Sequence, residues 1–117
     1  MTSNIIYNKL LVRLEKGQVA FSDGVSLERG TCVGIYFLPI KGADTQHFIE
    51  IDVQNSQNGV VLTPTDFRDY LHKGGGYFSG LKPVNFPTEN NRFFVSVNSS
   101  KPVAEEFLGQ LIFVIQK

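Results

Sequence analysis

The runs Thr-Cys-Val-Gly-Ile-Tyr-Phe-Leu (Thr31–Leu38) and His-Phe-Ile-Glu-Ile-Asp-Val (His47–Val53) decide the fold class. In the second, His47, Ile49, Ile51 and Val53 share one parity, and Phe48, Glu50 and Asp52 share the other. A period of two marks a strand with one drier and one wetter face. The first run is apolar on both parities, which suits a strand covered on both sides or buried at a subunit contact. Turn formers fill Pro39–Gln46 between them. The two runs read as central antiparallel strands of an all-β domain.

Working outward, Lys9–Glu15 reads as a strand, and Ile5–Tyr7 before it as a short strand or a docking arm. Residues 1–8 together read as a flexible N-terminal arm. Ser22-Asp23-Gly24 has turn chemistry, and Val25–Leu27 reads as an edge strand. Beyond the central runs, Gly59–Thr63 is β-branched and follows an Asn-Gly turn signal. Thr63-Pro64-Thr65-Asp66 has the form of a helix start: Thr63 as N-cap, Pro64 at the first position, Asp66 as a capping carboxylate. This predicts one short helix near residues 64–73, stopped by Gly74-Gly75-Gly76. Tyr77–Val84 is extended but interrupted by Gly80 and Pro83, and Phe86–Asn91 reads as a loop. Arg92–Asn98 alternates, with Phe93, Val95 and Val97 inward, and Leu111–Ile115 ends the chain as a strand.

About eight short strands separated by turns point to a single β-sandwich of antiparallel strands over residues 1–117, with a jelly roll as the natural candidate and an immunoglobulin-like sandwich as its rival. A hydrophobic fraction of 42% argues against disorder. Eleven basic residues balance eleven acidic ones, so no bulk charge draws the chain to nucleic acid. Near-neutral proteins are weakly protected from self-association, which suits a subunit that assembles. The single cysteine, Cys32, excludes an internal disulfide and reads as a half-buried strand thiol. The N-terminus lacks the pattern of a secretory signal, and no apolar stretch has the length of a membrane span, so synthesis in a cytoplasm is the expectation.

Reaction chemistry has little support. His47 and His72 stand apart from any metal-binding spacing, and the aspartates form no calcium loop. Glu50 and Asp52 share one strand face, a spacing that glycosidases use but that more often is a solvated face. Gly74–Gly76 lacks the ending of a phosphate loop, and Ser22, Ser26, Ser79 and Ser96 stand in no nucleophile motif. No catalytic, cofactor-binding or metal residue is assigned, and the chain is expected not to be an enzyme. Ten Phe and four Tyr exceed what one small core obviously needs, so some are expected at subunit contacts, where aromatics are enriched. Tyr77, Phe78 and Phe86, on Gly/Pro-broken segments, are the candidates.

The order of elements resembles that of the small single-jelly-roll penton proteins of tailless icosahedral membrane-containing bacteriophages. The matching pieces are Cys32–Tyr36, Phe48–Ile51, Gly59–Pro64, Gly76-Tyr77-Phe78, Leu81 and Pro83, Phe93–Val95 and Phe107–Ile115. They span about the last two-thirds of the chain. Thr65–Gly75 looks like an insertion in that pattern, and Met1–Gly30 has no clear match. The resemblance implies a virion structural protein whose copies form homopentamers at capsid vertices, contact the major capsid protein and carry a spike. It makes the arm, Ile5, Ile6 and Tyr7, and the helix, Phe67 and Tyr70, natural places for contacts with neighbours, and apart from it no cofactor, no specific nucleic acid and no membrane insertion are expected. The alternative left open is a β-sandwich binding module that recognises carbohydrate or a protein partner.

Overall fold

A computed structural model describes residues 5–56, 59–73, 80–88 and 92–117. Eight strands follow in chain order: β1 (Ile5–Leu14), β2 (Ala20–Ser26), β3 (Thr31–Lys41), β4 (Ile49–Asn55), β5 (Val60–Asp66), β6 (Lys82–Pro87), β7 (Arg92–Ser99) and β8 (Phe107–Gln116). They build two four-stranded antiparallel sheets, β1-β8-β3-β6 and β2-β7-β4-β5. The first strand pairs with the last, the second with the seventh, the third with the sixth and the fourth with the fifth. This is a long hairpin rolled on itself until alternate pairs fall in opposite layers, the strand order of a jelly roll. β3 and β4 are each internal, as their patterns require, but they lie in different sheets.

The core lies between the sheets. Leu10, Val12, Leu14, Ile35, Phe37, Leu111, Phe113 and Ile115 enter it from the first sheet, and Val25, Ile49, Ile51, Val53, Phe93, Val95 and Val97 from the second. It holds a ring cluster: Phe37 stacks on Phe107 at 5.5 Å, and Phe67 meets Phe107 edge-on at 5.0 Å. Aromatic pairs in such geometry add about 0.5–1.5 kcal/mol to what area burial contributes. Gly109 makes room for the cluster, since a Cβ there would lie 2.2 Å from Phe37 Cζ.

Several local expectations are corrected. Thr63 and Pro64 stay extended in β5, an edge strand, where a proline breaks no ladder. Only a 3-10 turn, Phe67–Tyr70, follows, and its cap is Asp66, which accepts from Arg68 N at 3.0 Å. Ser22-Asp23-Gly24 lies inside β2, because its backbone pairs with Ser96, Val95 and Phe94 of β7. Phe86 and Pro87 belong to β6 and not to a loop. Residues 5–8 are not an arm: they open β1, where Ile5 pairs with Gln116 and Asn8 with Phe113.

Candidate interaction surface

Among the described residues, the outward parity of the first sheet gathers apolar side chains outside the core in successive rows, whereas the second sheet has one such row, with Phe94 and Val60. Leu10, Val12 and Leu14 point inward, so Tyr7, Lys9, Leu11 and Arg13 occupy the opposite face of β1. Strand register then fixes the rows. Tyr7 lies beside Val114 and Gly34, Lys9 beside Ile112 and Tyr36, Leu11 beside Gln110 and Leu38, and Arg13 beside Leu108 and Lys41. Ile112 and Val114 are buried although they point away from the core. Tyr7 (46% exposed), Leu11 (51%) and Leu38 (49%) remain open to solvent. A shallow hollow runs between Tyr7, Lys9, Tyr36, Leu38, Gln110 and Ile112.

Apart from Lys9 in the hollow, the charges described on this face stand at its rim. Glu106 bridges Arg13 at 2.6 Å and Lys41 at 3.3 Å, and those hydrogen bonds hold its carboxyl below the usual carboxylate range. At the other edge Lys82 pairs with Asp69 and holds that carboxyl low as well. The Lys82 ammonium also lies 5.2 Å from the centre of the Tyr70 ring.

The outward rows of the second sheet read differently. Ala20, Asn98, Glu50 and Asp66 form one row, and Ser22, Ser96 and Asp52 the next. Asp52 accepts from Ser96 N at 3.2 Å, so at least one of its oxygens is engaged with the sheet itself. Glu50 and Asp52 lie on this open face, away from the hollow of the first sheet. Phe94 is partly exposed with the Arg92 guanidinium 5.7 Å from its ring centre, and Phe93 is inward.

The polar chemistry at one end of the sandwich serves the scaffold. His47 Nδ1 lies 2.6 Å from Thr45 Oγ1, and Nε2 lies 2.7 Å from Ser99 Oγ. Ser99 Oγ donates its proton to Lys101 O. His72 packs edge-on to the Tyr36 ring at 6.0 Å. Cys32 is a buried free thiol, and burial pushes its pKa up to about 12. Among the described residues no cluster of His, Cys, Asp and Glu has the makings of a metal site. No helix of the described chain is long and apolar enough to cross a membrane.

Of the predicted contact residues, Tyr7 stands on the apolar outer face, Ile5 shares its parity at the start of β1, and Ile6 points to the interior and is half-buried. Phe67, Tyr70 and Phe86 are corrected: all are buried in the chain's own core and present almost no ring surface to a neighbour. Tyr70 donates to Ile51 O at 3.4 Å, and burial pushes its pKa up to about 12. Tyr77 and Phe78 lie outside the described residues. Leu11, Leu38 and Ile112 were not singled out. Their signal was apolar residues on both parities, visible in Leu10-Leu11, Thr31–Leu38 and Leu111–Ile115.

No known protein family matches the chain, and no curated protein matches it. Among solved structures, it is similar to the crystal structure of the infectious bursal disease virus VP2 subviral particle, at 14% identity and a TM-score of 0.34. The match covers 97% of this chain and 32% of that one, so this chain spans about a third of that protein's length.

Proposed function

We propose that this chain is a self-assembling structural subunit of a virus particle, with no reaction of its own. The observation that carries the reading is the outward apolar face of the β1-β8-β3-β6 sheet, on which Tyr7, Leu11 and Leu38 stand about half exposed beside the buried Ile112. Apolar side chains in adjacent rows on a sheet face mark a surface that is covered in use. The jelly-roll order and a net charge of zero suit subunits packed against copies of themselves. The finer form of the reading follows the sequence resemblance: a vertex or minor capsid protein of a tailless bacteriophage, made in the host cytoplasm. Five copies would close a ring, contact the major capsid protein and carry a spike. Electron micrographs of the concentrated protein, alone and co-expressed with its genomic neighbours, test this. Rings or shells support it. A lone monomer that binds glycan would replace it with a binding module.

A further inference from the structure

The four sheet edges are unequal. β5 carries Pro64 and two register shifts against β4, and β6 carries Pro83 and Pro87 with a shift against β3. β2 is seven residues long and contains Asp23 and Gly24. These are the devices by which an edge is made a poor template for another strand. β1 carries charges at Lys9 and Arg13 but no glycine, proline or register shift. It runs ten residues without Gly or Pro, and its register with β8 is unbroken from Ile5 to Leu14. On its other side β1 is the edge of the sheet.

We infer that β1 pairs antiparallel with β1 of a second copy across a two-fold axis, joining two first sheets into one. The choice of a second copy rests on the self-assembling reading above, and the sequence of the strand supports it through register. With both sandwiches on the same side of the joined sheet, a residue must oppose one of its own parity, so the axis passes through a residue. An axis at Lys9 sets Lys9 against Lys9 of the second copy, and an axis at Leu11 sets Lys9 against Arg13. Like charges directly opposed disfavour both. An axis at Leu10 opposes Tyr7 to Arg13 and Lys9 to Leu11 on the outside, and Ile6 to Leu14 and Asn8 to Val12 on the inside. That register uses the strand from Ile6 to Leu14 with no like-charge pair. An isologous contact of this kind leaves the outer sheet face open for a second, different contact.

Disulfide trapping in the full chain tests both the contact and its register. Lys9→Cys and Leu11→Cys replace exposed residues, and the native Cys32 is buried. Oxidation of the two variants mixed is expected to give roughly tenfold more linked dimer than either alone, because opposed Cα atoms lie ~5 Å apart and diagonal ones ~7–8 Å, beyond disulfide reach. Linking by Lys9→Cys alone would overturn the register. Absence of linking in every mixture, with the wild type sedimenting as a monomer, would overturn the contact. Rings or shells that form without this link would sink the edge pairing and leave the proposed function standing. A linked dimer with nothing larger would do the reverse.

Discussion

The row Leu11–Gln110–Leu38 on the outside of the first sheet and the row Ser22–Ser96–Asp52 on the outside of the second occupy comparable places in the two layers. Each crosses the middle strands of its sheet, over an interior lined by the same kinds of side chain. Yet the first presents two leucines about half exposed, next to a buried isoleucine, and the second presents hydroxyls and a carboxylate. The core accounts for neither choice, since both rows point away from it. The difference shows that the inward parity of each strand builds the shared core, while the outward parity also records what the finished domain meets.

The largest break of this comparison is at Ile112. Although it points outward, it is only 5% exposed, so Ile112→Ala is expected to lower unfolding stability by ~2–5 kcal/mol in urea titrations. The matched change on the second sheet, Ser96→Ala, is expected to stay within about 0.5 kcal/mol, since the bond to Asp52 uses the Ser96 backbone N–H. A comparable loss from both would show that the two faces are equally packed.

On the second sheet the sensitive outward group is polar. Asp66 accepts from Ile49 N at 3.1 Å, caps the 3-10 turn through Arg68 N, and pairs with the Arg68 guanidinium at 2.8 Å. Asp66→Ala is expected to lower stability by ~1–3 kcal/mol, and Asp66→Asn by less, because the Asn oxygen still accepts. Equal losses from the two variants in thermal unfolding would assign the effect to charge instead of to the cap.

The smallest expected effect lies at the rim of the first sheet. The folded Glu106 carboxyl is held below its ordinary value of 4.5 by hydrogen bonds from Arg13 and then Lys41. Its contribution is therefore present in full above that value and disappears as pH falls through the lower folded pKa. Compared with wild type, Glu106→Gln should be slightly less stable at neutral pH and equal to it in strong acid, with the gap narrowed by salt. A gap that widens on acidification would reverse the assignment.

Much of this architecture can be read from the chain, and what cannot has a physical reason. β4 and β7 declare themselves because alternation is a local property: Ile49, Ile51 and Val53, or Phe93, Val95 and Val97, need no partner to show their parity. Thr63-Pro64 mimics a helix start because N-cap chemistry and edge-strand chemistry use the same residues, and only the pairing of Ile51 with Thr65 and Glu50 with Asp66 separates them. Ser22-Asp23-Gly24 is held straight by a strand far along the chain. The outer apolar face was half legible. The doubled parity of Thr31–Leu38 signals cover on both sides, but Leu11, Leu38 and Ile112 become neighbours only when Ile5 pairs with Gln116 and the chain closes end to end. Phe86 is expected outside because aromatics are abundant, and Phe67 and Tyr70 because the resemblance makes their segment a contact, whereas all three fill the interior.

The central claim is that the outer face of the β1-β8-β3-β6 sheet is covered by other subunits, and sedimentation of matched variants tests it most directly. The account predicts that the wild type forms a species heavier than the 13.1 kDa chain at high concentration. Leu38→Lys, on the internal strand β3, should leave no species larger than the edge-paired dimer at an unchanged melting temperature, and Ser22→Lys with Gln54→Lys on the other sheet should leave it assembled. A wild type that stays monomeric at high concentration, or an assembly lost only through the second sheet, would contradict the account.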